Sequence, residues 1–221
     1  MQINKPIVLF NIDYTLFNRD KFLESLFDSV GELFEIEKKM MREIGEIAYR
    51  ETVAEVDHFS PKEFSLKIAT ALGKISLLPK IEEIVTAKYN RPESLYEETL
   101  ETITEVAKVA DVGIFSRGHK QFQGNKIMKF KHLLHADHIY MDIDKLKILP
   151  EIIAKYKQAK LYLIDDLLDV LHLAKKLKED IVTIWVKRGM YAENQKDIPG
   201  FSPDAEVENL SEVARIVKSN L

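Results

Sequence analysis

Three short stretches of this sequence set reactive side chains at the ends of apolar runs. The first is Phe10-Asn11-Ile12-Asp13-Tyr14-Thr15-Leu16, which follows the run Ile7–Phe10. Side chains alternate along an extended chain, so Asn11 and Asp13 point the same way. Two neighbouring oxygen-bearing side chains can hold Mg²⁺ or, where both are acids, divide the labour of nucleophile and general acid. The second stretch is Ile114-Phe115-Ser116-Arg117-Gly118. Its hydroxyl, flexible glycine and backbone amides are the parts of an oxyanion or phosphate cradle, although Ser and Gly also simply turn a chain. The third is Leu163-Ile164-Asp165-Asp166-Leu167-Leu168-Asp169. Consecutive carboxylates after a buried run are costly unless a metal or another cation neutralises them. For Asp166 alone, capping the helix that follows is the simpler account.

The elements that must carry these stretches follow from hydrophobic pattern. Ile7–Phe10, Val112–Phe115, His138–Met141, Leu161–Ile164 and Ile181–Val186 are short apolar runs without alternation, the pattern of strands buried on both faces. Helical patterns separate the last four, which predicts an α/β protein with a Rossmann-like parallel sheet. The expected helices are one through Leu95, Leu100, Ile103 and Val106, one through Phe122, Ile127, Phe130 and Leu134, and one each over Leu168–Leu177 and Ser211–Val217. Between the first two strands lies a stretch with helical patterning only. Phe22 to Phe34 repeats at helical spacing, a second helix is expected over Glu37–Val56, and Ser60-Pro61-Lys62-Glu63 reads as a capped helix start. Pro79 opens a fourth, over Lys80–Tyr89. Residues 16–92 are therefore expected to form an all-helical cap over the C-terminal end of the first strand, where open α/β sheets bind ligands, with 1–15 and 93–221 forming the α/β core. The longest expected loop is Tyr191 to Pro203.

Composition narrows the partners. The chain has 221 residues, 46% hydrophobic and 31% charged, with net charge −4 and no cysteine. There is no general basic field for nucleic acid or acidic membrane, no thiolate chemistry, and no run near the roughly 18 apolar residues of a membrane span. A cytoplasmic protein is expected. Lys126, Lys129, Lys131 and His132 read as a solvated helix face. His132, His135 and His138, with Asp137 the acid among them, straddle a helix end and a strand, so surface or capping roles are expected in place of a shared ion. Trp185 reads as core, and Arg117 as a substrate contact or a surface ion pair. Tyr14, Phe17 and Phe59 read as packing residues, with the inner face of the cap as their alternative role.

Taken in order, the strand end N-x-D-x-T-L, the strand end S-x-G, a lysine before a helix and the strand end D-D-x-x-D resemble the four motifs of the haloacid-dehalogenase (HAD)-like hydrolase superfamily, phosphatase type, with the helical stretch in the place of that family's first-type cap. The resemblance covers the whole chain, including the closing segment Phe201 to Leu210. It implies that Asn11 stands at the nucleophilic aspartate, Asp13 at the general acid/base and Thr15 at a conformational, hydrogen-bonding threonine. Ser116 would bind phosphate, with the amides of Arg117 and Gly118 nearby. Asp165 and Asp169 match the metal-binding acids, with Asp166, Asn11 and Asp13 as further partners of a Mg²⁺ cofactor. Read against a K-x-x-P-E-I pattern, Lys147 is the favoured phosphate-site lysine; a slightly longer connection selects Lys145.

Asn11 departs from the family pattern. An amide nitrogen has a delocalised lone pair and its oxygen carries no full charge, so neither attacks phosphorus as a carboxylate does. Turnover through an aspartyl-phosphate is therefore expected to be abolished. The chain is then either an Asp→Asn form of an otherwise complete phosphomonoesterase, still binding a small phosphorylated substrate, or a natural binding or regulatory protein on the same scaffold. Halide displacement needs no acid at the place of Asp13, which favours phosphomonoesters, with phosphotransfer a further option. Substrate identity and oligomeric state are not encoded in any recognisable pattern.

Overall fold

The computed structural model describes residues 5–220. Spatial proximity divides the chain into two units. One comprises the described parts of Met1–Asn18, Leu95–Gly118 and Ile127–Leu221, and the other Arg19–Ser94 with His119–Lys126.

The first unit holds a parallel six-stranded sheet in the order β3-β2-β1-β4-β5-β6. Its strands are β1 (Ile7–Phe10), β2 (Asp111–Arg117), β3 (Ile139–Asp142), β4 (Leu161–Asp165), β5 (Val182–Val186) and β6 (Ala205–Val207). Five follow the apolar runs of the sequence. The sixth has three residues, too short to give a periodic signal. Every residue of β1 and β4 is buried, as strands covered on both faces require. The chain runs outward from β1 through β2 to β3, then returns to the other side of β1 as β4. The strand order therefore reverses between β1 and β4, and a crevice opens beyond their carboxyl ends.

The second unit contains α1 (Arg19–Phe34), α2 (Lys38–Val56), α3 (Pro61–Ala71), α4 (Leu78–Asn90) and, from the later segment, α6 (Lys120–Lys126), α5 (Thr99–Ala107) belonging to the first unit. Ser60 caps α3 by accepting from the Glu63 N–H at 3.4 Å, with Pro61 in the first turn. In α2, Gly45 leaves room for the ring of Phe27, which a Cβ would approach to 2.5 Å.

The expected helix from Phe122 to Leu134 divides in two. Phe122 packs with Tyr89, Phe59 and Phe22 in the helical unit, at ring separations of 4.6, 5.4 and 5.5 Å. Ile127 and Phe130 are buried in the α/β unit instead. The apolar residues serve two cores, so α6 ends at Lys126 and residues 119–126 group with the helices instead of the α/β portion. Lys126 is buried too, its Nζ 4.3 Å from the Phe122 ring centre, so it does not belong to a solvated face. The expected loop from Tyr191 begins inside a helix, α9 (Gly189–Asn194), after α7 (Lys145–Lys155) and α8 (Leu168–Leu177); α10 (Leu210–Ser219) closes the chain. No helix among the described residues is long and apolar enough to cross a membrane.

Candidate functional site

Asn11 lies one residue beyond β1, at the crevice. Its N–H donates to the Ile164 carbonyl of β4 at 2.9 Å, which anchors the strand end beside Asp165. The chain then turns sharply: the N–H groups of Thr15, Leu16 and Phe17 all donate to the Ile12 carbonyl, and Tyr14 takes a left-handed conformation with φ 57°. That conformation costs a bulky residue about 1–2 kcal/mol. It is held by burial of the Tyr14 ring against Gly189, itself at φ 67°, where a Cβ would come within 2.1 Å of the ring. The turn leaves Thr15 fully buried and Asp13 half-buried.

Five charged or polar side chains converge here. Lys145 Nζ donates to Asn11 Oδ1 at 3.1 Å and forms a short ion pair with Asp165. Asn11 Nδ2 donates to Asp166 Oδ1 at 2.7 Å and to the Asp13 backbone carbonyl at 2.8 Å, with Thr15 Oγ1 at 3.5 Å. Lys145 and Asp165 are 3% and 0% exposed, so the pair gives up almost all hydration. Each charge depends on the other for compensation. The Phe115 ring adds a cation–π contact, 4.8 Å from Lys145 Nζ.

Lys145, and not Lys147, therefore reaches the crevice. The helix starts two residues earlier than the K-x-x-P-E-I pattern implies, because Asp144 caps it, its side chain accepting from the Lys147 N–H at 3.3 Å. Lys145 becomes the first helical residue and Lys147 is exposed. The phosphate cradle is also smaller than its sequence suggests. The Gly118 N–H already donates to the Asp142 carbonyl at 2.9 Å, and Arg117 is exposed. Ser116 does fit that role: its hydroxyl is buried and has no hydrogen-bond partner.

Asp166 does not cap α8. Leu167 holds that position, while Asp165 Oδ1 accepts from the Leu167 N–H at 3.2 Å. Asp169 sits exposed in the first turn of α8. The Asp166 backbone carbonyl accepts from Trp185 Nε1 at 3.0 Å and from Gln195 Nε2 at 2.7 Å, and Gln195 Oε1 in turn accepts from the Leu168 N–H at 2.8 Å. Trp185 is thus a core residue that also fixes a site loop. Gln195 had no signal in the sequence, since it lies in a polar stretch without periodicity.

Burial, reinforced by the neighbouring Asp165 charge, holds the Asp166 carboxyl well above the usual carboxylate range. Lys145 is paired with Asp165, while Asp166 lies close enough to Asp165 and Asp13 to feel both charges. The Asp13 carbonyl and the Asp166 carboxylate both converge on the Asn11 NH₂ group. An oxygen set of this kind fits Mg²⁺, whose charge would favour the ionised form of Asp166.

No protein-family model and no curated protein matches the sequence. Solved structures do. A haloacid dehalogenase-like hydrolase from Burkholderia xenovorans LB400 superposes with a TM-score of 0.71 at 19% identity, over 96% of this chain and 98% of that one. The HAD-hydrolase YfnB from Bacillus subtilis, bound to magnesium, gives 0.60 at 16% identity over 97% and 99%. The L-2-haloacid dehalogenase from Xanthobacter autotrophicus with chloropropionic acid covalently bound gives 0.58 at 14% over 98% and 100%.

Proposed function

With a haloacid dehalogenase-like fold as the premise, we propose that the chain carries the machinery of a Mg²⁺-dependent phosphomonoesterase that works through an aspartyl-phosphate and is arrested at Asn11. The observation that carries this reading is the position of Lys145 Nζ, between Asn11 Oδ1 and the Asp165 carboxylate in a buried pocket. With aspartate at position 11, the carboxylate attacks phosphorus while Lys145 holds it ionised and neutralises a phosphoryl oxygen. The unpaired Ser116 hydroxyl donates to a second phosphoryl oxygen. Asp13 protonates the leaving oxygen and then takes a proton from the hydrolytic water. Asp165, Asp166 and residue 11 are the residues that would hold Mg²⁺, with the Asp13 carbonyl adjacent. Bound there, Mg²⁺ supplies charge neutralisation at the phosphoryl oxygens. Among the fold neighbours are haloacid dehalogenases. An acid at position 13 and adjacent buried carboxylates favour phosphomonoesters for this chain.

One observation favours a second reading, a natural binding protein without turnover. The Asn11 NH₂ group lies between the Asp13 and Asp166 oxygens and satisfies both without a cation. The two readings separate on Mg²⁺-dependent phosphate release from a panel of phosphomonoesters, measured on this chain and on Asn11→Asp. Release by Asn11→Asp alone is expected, with a gain of about 10⁴-fold or more over the parent. Silence from both folded proteins would overturn the phosphomonoesterase reading in favour of binding.

A further inference from the structure

The opposite end of the same sheet carries a second polar cluster. Asp111 opens β2, and His135 and His138 lie on the short connection into β3. One ligand atom from each lies within 4.8 Å of the others. Backbone bonds hold the parts in place. The His135 N–H donates to the Val112 carbonyl at 2.8 Å and the His138 N–H to the His135 carbonyl at 3.0 Å. Gly113 permits the close approach, since a Cβ there would meet the His138 carbonyl at 2.3 Å. The two imidazoles lie nearly parallel, their centres 4.2 Å apart.

Counting protons along the adjoining tyrosines fixes the His138 tautomer. Tyr140 Oη donates its one proton to the Asp137 carbonyl at 2.9 Å and accepts from Lys155 Nζ at 2.8 Å. In the Tyr140–Tyr156 hydroxyl contact, Tyr156 must therefore be the donor. With its own proton spent, Tyr156 Oη can only accept at its 2.7 Å contact with His138 Nδ1. His138 thus carries its proton on Nδ1. A neutral ring with its proton on Nδ1 keeps a lone pair on Nε2. This is the arrangement of metal-binding histidines, whose second nitrogen donates to a fixed acceptor.

We propose that Asp111, His135 and His138 form a binding site for a transition-series dication, best matched by Zn²⁺. Two imidazoles and one carboxylate are a three-ligand zinc set with a fourth position for water, whereas Mg²⁺ prefers oxygen alone. Tetrahedral bonds of about 2.0–2.1 Å put ligands roughly 3.3 Å apart, so the donors, all within 4.8 Å of one another, need to draw together by no more than about 1.5 Å. Exposed His135 supplies that movement. Its Nδ1 accepts a long 3.3 Å bond from the Asp137 N–H, which water replaces when the ring turns. The bound ion would clamp the start of β2 to the connection before β3. Asp111 and Ser116 are on one strand, five residues apart at about 3.3 Å each, so this site lies roughly 17 Å from the phosphate end.

The test titrates the full chain with Zn²⁺, and separately with Co²⁺, in excess Mg²⁺ against a competing chelator. One equivalent is expected at micromolar affinity or tighter, with the visible absorption of tetrahedral Co²⁺. His135→Ala and Asp111→Asn alter side chains at the surface end of the cluster, and each should weaken binding at least tenfold. Tyr156→Phe should cost about tenfold by releasing the His138 tautomer. Absence of binding at 100 µM metal overturns the site, as does an affinity that His135→Ala and Asp111→Asn leave unchanged. Parent-like affinity in folded Tyr156→Phe overturns the tautomer argument.

Discussion

At the carboxyl end of the sheet, buried Lys145 pairs with Asp165 and contacts Asn11, which in turn donates to Asp166. At the amino end, two imidazoles and one carboxylate adjoin a chain of phenols. The strand β2 serves both ends, with Ser116 at one and Asp111 at the other. The first set is hard and oxygen-rich, and it suits Mg²⁺ and a phosphoryl group. The second is nitrogen-rich, with one ring already in the tautomer that a softer dication takes. One scaffold thus presents two different donor sets because burial acts on different groups. Burying carboxylates demands compensation by a cation, whereas burying an imidazole keeps it neutral and basic at one nitrogen.

The sharpest way to break this contrast is at the ion pair. Lys145→Met leaves Asp165 buried and unpaired, and should destabilise the protein by about 3–5 kcal/mol. Lys147→Met, at an exposed position, should stay within about 0.5 kcal/mol. Equal effects in chemical denaturation would mean that the helix register assigned to α7 is wrong. A smaller change is expected from Asn11→Asp without metal. The new carboxylate would lie near Asp166, where the amide now donates at 2.7 Å. A loss of about 1–3 kcal/mol follows, and added Mg²⁺ should restore it. Stability that is insensitive to Mg²⁺ in this variant would remove the metal from the carboxyl end.

The amino end should respond to pH in the opposite sense to a salt-bridged histidine. Burial lowers the His138 pKa below its ordinary value of 6.5, against a hydrogen bond to the Asp137 backbone and the Asp111 charge, with His135 and Lys155 acting in the same direction as burial. The unfolded chain then takes up the proton more readily than the folded one. His138 therefore contributes stability that is present above its ordinary pKa and lost as pH falls below it. Between about pH 7.5 and pH 5.5, folded His138→Gln should lose less thermal stability than the parent; parallel losses would mean that His138 is not held neutral.

The sequence makes the two ends unequally legible. β1, β4 and β5 are readable because strands buried on both faces are continuous apolar runs, and the residues following β1 and β4 fall at the crevice once the sheet order is known. The choice between Lys147, which the pattern favours, and Lys145 stays open in the sequence because both lie at the same helix start, and only the Asp144 cap decides that Lys145 turns inward. The split at Lys126 was hidden because one apolar periodicity serves two cores. At the amino end the spacing of His132, His135 and His138 suggested no shared ion. His132 is not in the proposed cluster, and its third member is Asp111, which β2–β3 pairing brings close from far upstream. Gln195 reaches Asp166 by the same kind of long-range closure, which no local pattern reports.

The central claim is that residue 11 is the point at which a phosphoryl group would be received. The most direct measurement is intact-protein mass spectrometry, with peptide mapping, of the Asn11→Asp/Asp13→Asn double variant incubated with Mg²⁺ and a small acyl phosphate. Removing the Asp13 carboxyl should slow water activation enough for the adduct to persist. A single phosphoryl adduct on residue 11, absent from the parent chain, is the expected result. A folded double variant that acquires no adduct, or acquires it elsewhere, would contradict the account.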